Sequence, residues 1–282
     1  MFELFHQPLF LPALKAAVIS GILLSYLGVH VVGRGIVFVD LALGQISSLG
    51  VAFAAFIGSG ITFIPLVFTL AGAVLMSFIS IRDKRLKQEA IIGIIYAFSS
   101  ALTVMLISKT PNNDADMMGE VLFGSIFTIT DNSLETLSVI FAAIAVMHIA
   151  FFRKFYSLTE SFENGQNHLI GIFNIWNFLF YISIGLSIVF AVKATGVIPV
   201  FSFLIIPAVS AIMLTKNRFL VIVFAVIISI LGSYFGLTLA LKEEFTGGPS
   251  MVAILSGIFI LASIYRILRD FVKPKNGRNV TV

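Results

Sequence analysis

The sequence predicts an all-α, polytopic membrane protein with about nine transmembrane helices (eight possible) in one transmembrane domain over 1–282. Three observations predict it. Of 282 residues, 59% are hydrophobic and 11% charged, where a soluble domain carries about 25% charged residues. Mean hydropathy is +1.06. Apolar runs near the ~20 residues that a bilayer crossing needs recur from end to end. A transmembrane barrel would show ~10-residue alternating segments instead, and there are none.

The spans fall at roughly 9–32, 36–58, 62–81, 90–107, 134–152, 173–192, 197–214, 219–241 and 250–268. The first is no cleavable signal, because no basic cluster precedes it and its apolar run is too long. The strongest basic cluster, "RDKRLK" at 82–87, places the loop after the third span in the cytoplasm. Alternation then puts Arg34, Arg153 with Lys154, Lys216 with Arg218, and the tail "RILRDFVKPKNGR" inside, and all are basic. The outside loops are acidic: Asp114, Asp116, Glu120, Asp131 and Glu135 face one Lys109, and Glu243 with Glu244 face Lys242. The N-terminus is therefore expected outside and the C-terminus inside. The net charge of +4 follows from this sidedness, so no nucleic-acid partner is needed to explain it. The segment "MMGEVLFGSIFTI" at 117–129 is expected along the outer interface or dipping into it.

Several chemistries are excluded. With no cysteine there is no disulfide, thiolate ligand or thiol nucleophile. No Gly-Lys pair occurs, hence no P-loop, and there is no G-x-S-x-G or H-E-x-x-H. An ATP motor would have to be another polypeptide. His6, His30, His148 and His168 are far apart and read as interfacial or loop residues. These absences favour transport over catalysis.

Polar groups within spans carry the remaining signal. The second span, "GIVFVDLALGQISSLGVAFAAF" at 35–56, holds Asp40, Gln45, Ser47 and Ser48. An ionisable side chain at mid-span costs about 2.5–3.5 kcal/mol on insertion scales, so it implies a partner, a cavity or a task. Two readings stand for Asp40: a cation station, or a carboxylate near a helix N-terminus favoured by the dipole. Positions 40, 44, 47 and 48 share roughly one face; Gly44, Ser47 and Ser48 also suit plain helix packing. In the fourth span, Glu89, Gly93, Tyr96, Ser100 and Thr103 form a polar stripe that is either pathway wall or bundle interior. In the seventh, Pro199 and Pro207 are expected to break the helix. The small residues Ala208, Ser210 and Ala211 would then form a short helix at the cytoplasmic face; an ordinary proline kink is the other reading.

These stretches resemble the ABC-3 family, the permease subunits of bacterial ABC importers for zinc, manganese and sometimes iron. The matching pieces are the second span, "QEAIIGIIYAFSSALTVMLISKTP", "VKATGVIPVFSFLIIPAVSAIML" and "TGGPSMVAILSGIFI", in order. The resemblance implies a homodimeric permease in the bacterial inner membrane that moves a divalent metal inward, zinc first, with manganese or iron behind it. It implies an extracytoplasmic metal-binding protein and cytoplasmic ATPase subunits that use the ATP; no permanently bound cofactor is implied. The metal would pass Asp40 and Gln45, with Ser47, Ser48, Glu89, Tyr96 and Ser100 lining the path. Pro207, Ala208, Ser210 and Ala211 would couple to the ATPase. One departure stands out: better-known members carry Asp and, four residues on, His, where this chain has Asp40 and Gly44. Aligned from "LGVAF", Gln45 takes the histidine position and Leu41 the aspartate position. A self-contained secondary transporter or channel is the other class, but helix breaks are expected in one half only.

Overall fold

The computed structural model describes residues 7–60, 62–79, 88–110, 126–165 and 174–272. The cluster at 82–87, the acids Asp114, Asp116 and Glu120, most of the 117–129 segment, and His6 and His168 lie outside the described residues.

The described residues form ten α-helices: α1 (Phe10–Arg34), α2 (Val39–Ile57), α3 (Phe63–Ser77), α4 (Gln88–Ile107), α5 (Asp131–Ala150), α6 (Phe152–Glu163), α7 (Ile175–Thr195), α8 (Val197–Leu214), α9 (Arg218–Lys242) and α10 (Gly247–Val272). Eight of them, all but α3 and α6, are long and apolar enough to cross a membrane. At 15 residues, α3 is only about 22 Å long. It nonetheless runs between the two ends of the bundle. Pro65 near its start lies against Gly50 in the later half of α2. Its last residue, Ser77, gives its carbonyl to Asn177 Nδ2 at the start of α7, 3.2 Å away.

α1 is the central post, packed on α8, α9, α5, α6 and α7, while α2 packs on α3, α4 and α7. Close crossings use glycine, because two helix backbones can meet only where no Cβ intervenes. A Cβ on Gly28 of α1 would overlap the Leu204 carbonyl of α8, and one on Gly236 would lie 2.8 Å from the Met251 amide nitrogen. Buried hydroxyls turn back on their own helices: Ser187 to the Ser183 carbonyl at 2.7 Å and Ser233 to that of Ser229 at 2.9 Å. Many buried serines are thereby satisfied without reaching a neighbour.

The basic ends meet on one side. Arg269 Nη1 donates to the Leu214 carbonyl at 3.2 Å, joining the end of α10 to the end of α8. Arg218 at the start of α9 reaches Glu160 of α6. At the opposite side Phe10 packs on Tyr234, and Gly247 lies against Ile126 and Leu237. Among the described residues, the basic stretches at Arg34, Arg218 and Arg269 thus share one end of the bundle.

Two expectations are corrected. The predicted break in the seventh span is absent, and α8 is one helix with Pro207 inside it. Pro199 is its third residue, where an N–H has no intrahelical partner to lose. Pro207 removes only one ladder bond, and Phe203, Leu204 and Ala208 around it are fully buried. Nor is the stretch after the fifth predicted span only a loop. It contains α6, whose Phe155, Leu158 and Thr159 are buried while Arg153 and Lys154 are exposed.

Candidate functional site

α1 ends at Arg34, and Gly35 follows in the left-handed conformation at φ 66°. That turn re-aims the chain into α2. It is clamped from α4, where Glu89 Oε1 accepts the Val37 N–H at 3.2 Å. Glu89 is therefore engaged at the turn.

Asp40 is the second residue of α2 and only 3% exposed. Its carboxylate lies by the free amides of the helix's first turn, Asp40 and Leu41, but neither oxygen makes a well-formed hydrogen bond among the described residues. A buried carboxylate with no ion pair is costly, and the helix dipole offsets only part of that. Gly44, Ser47 and Ser48 are buried on the same side of α2. Gly44 faces Val197 of α8 with room for an ordinary contact at 3.5 Å, and Ser48 Oγ donates to the Gly44 carbonyl at 3.0 Å.

Gln45 is not brought to Asp40. Five residues on, it is turned about 140° around the helix and is half-buried. It shares a stripe with Phe38 and Phe56, which are 45% and 49% exposed. The fourth-span stripe opens the same way: Tyr96 is exposed, Ser100 half-buried, and a Cβ on Gly93 would touch nothing. Thr103 instead turns inward and donates to the Ser99 carbonyl at 2.8 Å. Pro207, Ala208, Ser210 and Ala211 are all buried in α8 and present no outer surface in this chain.

A second polar centre was not legible in the sequence. His30 and His148, read as interfacial or loop residues, are each 1% exposed. Arg34, expected in an inside loop, is 6% exposed. Its Nε donates to Thr159 Oγ1 at 3.1 Å and its Nη1 to Asn177 Oδ1 at 3.2 Å. Its guanidinium lies 3.6 Å from the Phe180 ring centroid, and it has no carboxylate partner among the described residues.

The hydroxyls fix the histidine tautomers. Thr159 Oγ1 gives its only proton to the Phe155 carbonyl, so it accepts from both Arg34 and His30 Nδ1, the latter at 2.9 Å. Neutral His30 therefore carries its proton on Nδ1, and its Nε2 lone pair has no partner. Ser183 likewise donates to the Leu179 carbonyl and accepts from His148 Nε2 at 3.1 Å, leaving His148 Nδ1 to accept from the Tyr26 hydroxyl at 3.4 Å. This network joins α1, α5, α6 and α7 and anchors the residue from which the α1–α2 turn departs. The spacing of Tyr26, His30 and Arg34, four residues apart along one helix face, was its only sequence signal.

No group of three or more His, Cys, Asp or Glu side chains placed to hold a metal occurs among the described residues. Asp40 stands apart from any such group.

The ABC 3 transport family model matches residues 6–266. The chain belongs to that family. It is 31% identical over 265 residues to the "uncharacterized membrane protein in ycf23-apcF intergenic region" of Cyanophora paradoxa, covering 91% of this chain and 84% of that one. It is 24% identical over 266 residues to the manganese transport system membrane protein MntC of Halalkalibacterium halodurans, covering 94% and 87%. It is 27% identical over 255 residues to the high-affinity zinc uptake system membrane protein ZnuB of Haemophilus influenzae, covering 90% and 97%. A solved structure titled "PsaBC from Streptococcus pneumoniae in complex with Fab" has the same fold, with TM-score 0.76, 21% identity and 93% of each chain covered. This ABC 3 family member is a multi-pass membrane protein.

Proposed function

We propose that this chain is a single-domain permease subunit of an ATP-binding cassette importer and moves a divalent metal cation inward. The observation that carries this is the buried carboxylate of Asp40, which no side chain among the described residues partners. A divalent ion crossing a poorly hydrated path gains from one carboxylate, and a lone carboxylate binds weakly enough to let it go. Gln45, on the open side of α2, is a separate oxygen donor facing a second copy of the chain across a homodimer axis. Ser47 and Ser48 back the path, and Tyr96 and Ser100 flank it. Carboxylate and amide oxygens suit manganese better than zinc, and relatives named for each metal support both. Zinc, manganese and iron are the cargoes to compare.

The chain lacks a P-loop, so a cytoplasmic ATPase subunit supplies the energy and an extracytoplasmic protein delivers the metal. The pooled basic end faces the cytoplasm, with the N-terminus outside and the C-terminus inside. Pro207, Ala208, Ser210 and Ala211 act from within α8 by positioning its cytoplasmic end, through which the ATPase couples. The experiment is uptake by the reconstituted complex, metal by metal, for the wild type and Asp40→Asn. Loss of uptake with the ATPase still bound supports the reading; wild-type uptake by Asp40→Asn refutes it.

A further inference from the structure

We propose that the seam between α1, α5, α6 and α9 holds one anionic phospholipid, acyl chain inward and phosphate at the basic end. This rests on the orientation proposed above, which puts that end in the cytoplasmic leaflet.

Two cavities lie in line along the seam. One, about 400 Å³, is walled by Ile19, Ile22, Phe141, Ala145 and Val226. The other, about 360 Å³, is walled by Tyr156, Glu160, Lys216, Arg218 and Arg266. Ile222 lines both. Along α1 the lining passes from Ile19, Ile22 and Tyr26 to Val29 and His30, and along α9 from Val226 and Ile222 to Val221 and Arg218. The groove therefore changes from apolar to charged over successive helix turns, in the sense in which a lipid changes from chain to headgroup.

The charges fit one phosphodiester. Lys216, Arg218 and Arg266 face Glu160 and Glu163, leaving one positive charge in excess. Arg218 is engaged: it lies 3.1 Å from Glu160, 3.4 Å from Glu163, and donates to the Tyr156 hydroxyl at 2.8 Å. Those contacts tie α6 to α9 and hold the wall. Lys216 makes no ion pair among the described residues, and Arg266 has only a 3.9 Å approach to Asp270. These two cations remain for a phosphate. Basic pockets between helices at the cytoplasmic boundary are recognised sites for anionic headgroups. An apolar groove at hydrocarbon depth left empty would forfeit its dispersion contacts.

The test uses the intact complex in nanodiscs of phosphatidylcholine doped with dioleoylphosphatidylglycerol, with lipid retained per permease chain counted by native mass spectrometry. Neither metal nor ATP is present, so failure here is distinct from failure of the transport reading. The expected result is about one phosphatidylglycerol per chain. Arg266→Gln should lower its retention about fivefold, on the scale of one basic side chain at a membrane surface. Ala145→Phe, which fills the apolar part, should lower it similarly with every charge intact. Arg266 is half-exposed, so its variant keeps the test open if Ala145→Phe does not fold. Equal retention of phosphatidylcholine, or unchanged retention in both variants, overturns the proposal. Loss of the ATPase or of the dimer with unchanged retention assigns the groove to a protein partner and overturns it too.

Discussion

Asp40→Asn should separate stability from function. The wild-type carboxylate is 3% exposed with no well-formed hydrogen bond, and an unpaired buried charge costs several kcal/mol. The isosteric amide keeps the shape and leaves only neutral polar groups unsatisfied, a cost of about 1–3 kcal/mol. The difference makes Asn the more stable side chain by roughly 1–3 kcal/mol in metal-free protein. At about 2–4 °C per kcal/mol for a larger chain, Tm should rise by roughly 2–12 °C. Metal should close or reverse the gap: binding at about 100 times Kd stabilises the wild type by about 2.7 kcal/mol and leaves the variant unmoved. The assay is thermal unfolding of the purified complex with chelator and with each metal, beside uptake by the same preparations. A fall in Tm for metal-free Asp40→Asn would show that the carboxylate has a partner the fold requires. An equal response to metal in both proteins would remove Asp40 from the path.

Three further outcomes follow from the packing. Gly28→Ala drives a Cβ into the Leu204 backbone, 2.7 Å from its carbonyl carbon and 3.2 Å from its Cα, so α1 and α8 must separate; we expect a loss of about 1–3 kcal/mol, read as a lower Tm, and no change would place the two helices farther apart. Thr159→Val leaves the Arg34 Nε and His30 Nδ1 donors without their shared acceptor, which should cost roughly 3–5 kcal/mol, while Thr159→Ser retains it; equal unfolding curves for the two variants would refute the network. Ala208→Glu buries a carboxylate at a position with no exposure, so the expected defect is poor folding by size-exclusion profile; a monodisperse variant lacking only the ATPase would mean that Ala208 is a contact surface after all.

The long apolar spans were legible because bilayer thickness imposes a length that composition reports directly. That the described basic stretches gather at one end was legible for a similar reason, since alternation needs only their order. Asp40 stood out because a carboxylate within an apolar run is visible without any fold. The fourth-span stripe was harder: Glu89 turned out to clamp the α1–α2 turn, a contact 52 residues away in sequence. The Pro207 expectation failed because local rules price the missing N–H and the ring, whereas Phe203, Leu204 and Ala208 pack around it and keep the helix whole. The Arg34 centre was hidden because its partners, Thr159 and Asn177, lie 125 and 143 residues away.

The sequence by itself determined that this is a helical membrane protein with one end basic, without its own P-loop, and with a carboxylate where lipid could not satisfy it. These are properties of composition, order and local chemistry, and each is readable one segment at a time. Only the tertiary structure decided which polar residues meet. It turned Gln45 away from Asp40, buried the small residues after Pro207, and gathered His30, His148 and Arg34 into one core. The physical reason is that helix period fixes only the side of its own helix on which a residue lies. What that side faces depends on how closely helices approach, and glycines such as Gly28 set that distance against a partner far along the chain.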